Sequence, residues 1–268
     1  MKFAWMKAIG VGVLGISISF SVQAQSSSPA APAPAAAQAA TAATPTADQV
    51  LDHYVKAIGG RAAWTKLNSR VSKGTIEIPS MNNLSGSVEI HEKAPNSMLA
   101  VITLGGAVFE QGFDGTTAWS DDPQNGLRVL GGAELEDARR EADFYHPLDL
   151  KKLYTKMTVT GTEKVNDRDA YVVEASTGEG DPDKMYFDTE SWLLVRAINH
   201  RNTPDGVKAF QAEVGDYKDV DGVKLPFTVH QSSAESAFTI HFTEIQHNLQ
   251  LADGQFAKPS AEPAEKKE

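Results

Sequence analysis

The sequence of 268 residues contains no cysteine. That absence excludes a disulfide framework, a Cys-ligated zinc site, an iron–sulfur cluster and a cysteine nucleophile. It also excludes lipid attachment at a cysteine behind an export signal. Basic residues are the minority charge, 25 Lys and Arg against 35 Asp and Glu, for a formal net charge of −10. A nucleic-acid binder needs a basic face to displace counterions, so nucleic acid is not an expected partner. Long apolar runs are almost absent. The one present, residues 8–22, falls short of the roughly 20 residues that span a bilayer. Reaction signatures are missing too. There is no His-Glu-x-x-His, no Gly-x-Ser-x-Gly elbow, and neither Gly105-Gly106 nor Gly131-Gly132 is completed into a phosphate loop.

The apolar run follows Lys2 and Lys7 and ends in Val22-Gln23-Ala24, which places small residues where signal peptidase requires them. Residues 1–24 therefore read as a secretory signal peptide. Residues 25–45 are almost entirely Ala, Pro, Ser, Thr and Gln. Such a stretch cannot bury enough surface to offset its ordering entropy and reads as a disordered spacer. Residues 257–268 form a charged, Pro-containing tail, which leaves one folded domain over residues 46–256.

The domain opens with Thr46-Ala47-Asp48-Gln49, a capping box, ahead of an apolar stripe of Leu51, Tyr54, Val55 and Ile58. Gly59-Gly60 ends this helix, and a short second turn carries Trp64. From Ser69 the period becomes two. Strands are expected near residues 69–79, 87–91, 98–104, 107–113, 116–120, 127–130, 155–165, 170–176, 184–188, 192–200, 207–217, 223–230 and 237–246. Asp114-Gly115, Asn166-Asp167, Asp181-Pro182, Pro204-Asp205-Gly206 and Asp221-Gly222 supply turns. The run at 98–104 is apolar on both faces and reads as a doubly covered strand. Glu77 and Glu89 are expected to face each other across the first hairpin. Residues 132–145 read as a further helix with a thin stripe of Leu135, Ala138, Ala142 and Tyr145, closed by Pro147. The fold class is mainly β with α: one antiparallel sheet of about 10–12 strands, curled into an unclosed barrel, with lid or plug helices on the concave face.

Large apolar side chains recur at alternating positions. Met98, Phe109, Phe113, Trp119, Met185, Trp192, Phe210, Phe227, Phe238 and Phe242 are candidates for lining an apolar cavity. Leu135, Ala138, Ala142 and Tyr145 are the candidate lid residues. Patterning does not separate a lined cavity from a dry core. The seven histidines show no metal-ligand spacing, although His230 and His241 fall on neighbouring strands. Asp121-Asp122-Pro123-Gln124-Asn125-Gly126 lacks the closing Glu of a calcium loop and reads as a turn. Asp114, Asp188 and Asp221 are expected to cap their own turns. No catalytic residue, metal or cofactor is assigned.

Several segments together carry a family resemblance: Ala57-Ile58-Gly59-Gly60, Lys73-Gly74-Thr75, Glu92-Lys93-Ala94-Pro95-Asn96, Gly112-Phe113-Asp114-Gly115 with Ala118-Trp119, Tyr186-Phe187-Asp188, Leu193-Leu194-Val195-Arg196, and the run from Asp216-Tyr217-Lys218 to Leu225-Pro226-Phe227. Over about residues 49–246 the chain resembles the LolA-like outer-membrane lipoprotein-sorting proteins, in their broad periplasmic branch. The resemblance implies a half-open barrel that binds acyl chains of a lipoprotein or lipid and ferries them across the periplasm. It implies a soluble monomer serving outer-membrane biogenesis, with membrane-bound donor and acceptor proteins as partners. Carriers of the family use a strand arginine that bonds to the lid helices. The sequence alone does not assign that residue here. The alternative on the same fold is a lipoprotein-stress sensor or protein-interaction module.

Overall fold

The computed structural model describes residues 44–260, apart from residues 179, 204, 205 and 235; for residues 202, 203 and 206 it describes the backbone only. The expected signal peptide, the spacer up to residue 43, the tail beyond residue 260 and the Pro204-Asp205 turn positions lie outside the described residues.

Helix α1 (Ala47–Ala57) begins as its capping box dictates. The Thr46 hydroxyl accepts from the Gln49 amide at 3.2 Å, and the Gln49 side chain accepts from the Thr46 amide at 2.9 Å. Its buried stripe is Val50, Leu51, Tyr54 and Ile58, with Val55 only half-buried. Gly59, at φ +110°, ends the helix where it meets the Asp221-Gly222 turn. A Cβ there would lie 2.3 Å from the Gly222 carbonyl oxygen, so the close approach demands glycine. A short α2 (Arg61–Trp64) follows and sets Trp64 into the core, its indole N–H donating to the Ile58 carbonyl at 3.0 Å.

Thirteen strands form one antiparallel sheet. They are β1 (Ser69–Ile78), β2 (Leu84–Lys93), β3 (Ser97–Leu104), β4 (Ala107–Phe113), β5 (Ala118–Asp121), β6 (Arg128–Val129), β7 (Lys156–Val165), β8 (Arg168–Ser176), β9 (Asp183–Asp188), β10 (Leu194–Thr203), β11 (Gly206–Val220), β12 (Val223–Ser232) and β13 (Ala237–His247). The order is β6-β5-β4-β3-β2-β1-β13-β12-β11-β10-β9-β8-β7. Two meanders are thus joined by β1 pairing with β13, and the sheet stays open, with β6 and β7 as its edges. Register shifts in β7, β10 and β13 place one extra residue in each strand, at Thr160, Val195 and Thr243. Bulges of this kind bend a strand and raise its twist, which curls a sheet this wide.

The topology dictates the lid. The chain leaves β6 at one edge and must enter β7 at the other, so residues 130–155 cross the inner face. They do so as α3 (Ala133–Glu141) and two 3-10 turns, His146–Leu148 and Leu150–Leu153. The helix is shorter than the expected 132–145, and Pro147 lies within a 3-10 turn rather than after a helix. One apolar cluster forms beneath α1, α2 and the 3-10 turns, with Phe144, Val173, Met185, Phe187 and Leu225. A second forms beneath α3, with Ile76, Val88, Met98, Phe113 and Ile240.

Three further expectations are corrected. Strand β3 alternates between buried and half-buried residues and is not covered on both faces. Glu77 lies opposite Ser85, and Glu89 lies opposite Lys73, because the hairpin register places unlike partners there. Asp114 and Asp188 cap their own turns as expected, but Asp221 bonds His247 Nδ1 at 2.9 Å, and Asp219 accepts from the Gly222 amide instead.

Candidate functional site

A cavity of about 340 Å³ lies between the crossing segment and the inner face of the sheet. That volume is at the lower end of the roughly 300–1,000 Å³ typical of small-molecule sites. Strand alternation and the bulges decide which side chains reach it. Phe242 precedes the β13 bulge and Ile245 follows it, so the extra residue lets both border the cavity. The β10 bulge does the same for Leu194 on one side and Ala197, Asn199 and Arg201 on the other. Met98, Met185, Leu225 and Val229 complete the apolar floor. Phe144, Pro147, Leu150 and Leu153 roof it, and Tyr54, Ile58 and Trp64 close the side beneath α1.

Charged groups stand at two places on this apolar wall. Arg70 of β1 makes a bidentate contact with Glu92 of β2, both bonds 2.6 Å, and its guanidinium lies 5.8 Å from the Phe144 ring centroid and 6.0 Å from that of Trp64. The Arg70 guanidinium thus faces one aromatic ring of the roof, Phe144, and one of the side wall, Trp64. The second place lies at the end of α3. Arg201 Nη1 of β10 is 2.7 Å from Glu141 Oε1, with side-chain exposures of 19% and 7%. The two groups form a close, largely buried ion pair. Burial opposes the Arg201 charge, but Glu141 and Asp137 outweigh it and raise the pKa. Beside it the Tyr154 hydroxyl donates to Asp183 Oδ2 at 2.9 Å, and the His200 amide donates to Asp183 Oδ1 at 2.7 Å. Burial, aided by Asp183, pushes the Tyr154 hydroxyl pKa up. Burial pulls the His146 pKa down against the opposing pull of Asp143.

The roof is tied down along its length. Arg128 forks onto Glu134 at 2.9 and 3.0 Å where α3 begins. The Phe144 amide donates to the Pro95 carbonyl at 3.0 Å, and the Tyr145 hydroxyl to the Leu67 carbonyl at 3.0 Å. Arg61 of α2 reaches the Leu148 carbonyl and Asp149 at 2.9 and 2.8 Å.

The structure divides the sequence-derived candidates. Met98, Met185 and Phe242 border the cavity. Phe109, Phe113 and Phe238 pack in the cluster beneath α3 and do not border it. Phe210 is buried opposite Asn199, and Phe227 is buried with the Lys218 ammonium 4.2 Å from its ring centroid. Trp119 pairs across β4–β5 with Gly112, on the face opposite to Phe113, and its indole N–H donates to the Phe256 carbonyl at 2.9 Å. Trp192 lies in the β9–β10 turn at φ +61°, stacked between His53 and Tyr171. Leu135, Ala138 and Ala142 pack onto the cluster beneath α3, and Tyr145 onto the other. None of these four borders the cavity. The charged face of α3 does, through Asp137, Arg140 and Glu141. Sequence reasoning missed Arg70, Glu92, Glu141, Tyr154, Asp183, His200 and Arg201. Only the Arg70–Glu92 pair was within reach, since counting back along β1 and β2 from the turn that joins them sets the two opposite each other.

Among the described residues no group of three or more His, Asp or Glu side chains is placed to hold a metal, and no helix is long and apolar enough to cross a membrane. His230 and His241 do lie on adjacent strands, each bonded to a threonine hydroxyl.

No family model matches the sequence, and neither does any curated protein. Solved structures do match its fold. A DUF1329 family protein from Desulfovibrio piger aligns at a TM-score of 0.52 and 14% identity, over 78% of this chain and 96% of its own. A LolA superfamily protein from Nitrosomonas europaea aligns at 0.51 and 14% identity, over 80% and 99%. A putative outer membrane lipoprotein-sorting protein domain from Vibrio parahaemolyticus aligns at 0.50 and 10%, over 78% and 95%. With its open thirteen-stranded sheet and crossing helices, the chain has the LolA-like fold.

Proposed function

We propose that this protein is a periplasmic carrier that holds the acyl part of a lipoprotein or lipid in the cavity beneath its crossing segment and performs no covalent chemistry. The observation that carries the reading is the cavity itself: about 340 Å³, floored by Met98, Met185, Val229 and Phe242 and roofed by a segment that the topology lays across it. Methionine side chains at two points of the floor suit a deformable contact with a flexible chain. Each buried methylene contributes about 0.8 kcal/mol, so roughly eight of them supply about 6 kcal/mol before the cost of association. A ligand bulkier than the cavity enters only if the roof moves, and the roof is held by side-chain contacts that are individually breakable. In this reading residues 1–24 direct export and are removed, and residues 25–45 are a spacer.

The test is native mass spectrometry of the exported protein purified without detergent, followed by organic extraction. Added mass that extracts as an acyl lipid is the expected result. An unliganded mass that stays unliganded on incubation with dodecyl amphiphiles would overturn the carrier reading and favour a protein-interaction role for the fold.

A further inference from the structure

We propose that the cavity selects a non-anionic amphiphile, its polar end taking a head group that donates hydrogen bonds, an amine or a hydroxyl, and rejecting a carboxylate or phosphate. The inference rests on the ligand-cavity reading above and adds the class of ligand to it.

Excess negative charge and unfilled acceptors gather at one end of the cavity. Four carboxylates border the end of the cavity at α3 and β9–β10: Asp137, Glu141, Asp143 and Asp183. Two guanidinium groups stand among them, and both are already engaged. Arg140 lies 2.8 Å from Asp137, and Arg201 lies 2.7 Å from Glu141. Asp143 accepts from the Tyr145 amide, and Asp183 from Tyr154 and the His200 amide. Among the described residues neither has a Lys or Arg within ion-pair distance, and His200 Nδ1 stands 3.5 Å from Asp183. The end of the cavity thus carries two carboxylates in excess, in partly desolvated surroundings where water screens poorly.

An ionised carboxylate or phosphate head at this end would have to give up its hydration against that excess, where both guanidinium groups are already paired. Lys224 also borders the cavity, from the start of β12, where its amide bonds the Ile58 carbonyl beside α1. An ammonium or hydroxyl meets the opposite situation. His146 Nδ1 is buried here without a hydrogen-bond partner, the Asp143 and Asp183 carboxylates keep lone pairs beyond the bonds they accept, and all three residues border the cavity. A carboxylate oxygen only accepts, and a neutral imidazole offers one accepting nitrogen. Burial favours the neutral form of His146. A donor brought to this end satisfies groups that are otherwise costly to leave unmade. The chain of the same ligand then lies along Met98, Met185 and Phe242, which carry no competing polar atoms.

The experiment compares three ligands with one chain length by titration calorimetry at pH 7.5, each below its micelle concentration: dodecylamine, 1-monododecanoylglycerol and dodecanoate. The expected result is one-to-one binding of the amine and the glycerol ester with Kd at least tenfold below that of dodecanoate. Asp183→Asn narrows the gap, and Glu190→Gln, which removes an exposed carboxylate remote from the cavity, leaves it unchanged. Dodecanoate binding within threefold of the glycerol ester overturns the head-group assignment alone. So does a gap that shrinks equally with Glu190→Gln, since net charge would then explain it. Failure of all three ligands to bind overturns the carrier reading and this inference with it. If Asp183→Asn does not fold, the unmodified protein and Asp143→Asn still decide the question.

Discussion

Glu141→Gln is the most informative single change in this protein. Glu141 is the side chain by which the crossing segment, arriving from the β6 edge, grips β10 on the far half of the sheet. The substitution keeps size and shape and removes the counter-charge of Arg201, whose side chain is 19% exposed. Removing one partner of a buried pair costs about 3–5 kcal/mol. Here Asp137 and Asp183 also act on Arg201, so a smaller loss, about 2–3 kcal/mol, is expected. For a domain of this size that corresponds to a fall in Tm of roughly 4–12 °C. Urea denaturation gives the free energy, and hydrogen exchange locates it. Protection should fall first over residues 133–153, while β1, β12 and β13 keep theirs, because the pair anchors the roof and not the ladder. The double change Glu141→Leu with Arg201→Met should recover most of the loss, since an apolar pair of similar volume carries no desolvation penalty. A loss below about 1 kcal/mol in Glu141→Gln, or a double variant as unstable as the two single losses added, would refute the assignment of this pair as the clamp.

Gly59→Ala should lower Tm by several degrees, since φ is +110° and the new methyl group would lie 2.3 Å from the Gly222 oxygen; an unchanged melting curve would show that the α1–hairpin junction yields freely. Phe113→Asp places a charge at a fully buried site away from the cavity and should abolish cooperative unfolding, whereas Phe242→Ala, at a half-buried residue, should keep the fold, enlarge the cavity and cost about 1–3 kcal/mol by denaturation. Burial lowers the pKa of both His146 and His247, so the unfolded chain binds more protons once the pH drops below its own value of about 6.5. Stability is therefore fully present above that pH and falls as acidification proceeds towards the depressed folded values. Urea midpoints between pH 7.5 and 5.5 should show this decline, and it should flatten in the His146→Asn, His247→Asn double variant; an equally steep decline there would place the titration elsewhere.

The local grammar of the chain is legible without coordinates. Thr46 and Gln49 cap α1 because their spacing is that of reciprocal bonds, and the period-two stretches from Ser69 onward become strands because only one face of each is apolar. An antiparallel sheet too wide to stay flat follows from the number of strands and the shortness of their turns. Three decisions lie outside that grammar. The pairing of β1 with β13 closes a separation of some 170 residues, and no local pattern encodes it. The extra residues at Val195 and Thr243 change which side chains face inward, so alternation counted through them mislabels everything beyond. The topology then carries α3 across the sheet, which turns its charged side, the one that reads as solvent-exposed, towards the cavity through Glu141. Large apolar residues such as Phe113 and Trp119 pack where neighbours leave no space, while Glu141, Asp183 and Arg201 reach the cavity. Hydrophobic patterning thus determines that the sheet and its apolar faces form, whereas the long-range closure and the bulges decide where the empty space falls and which polar groups border it.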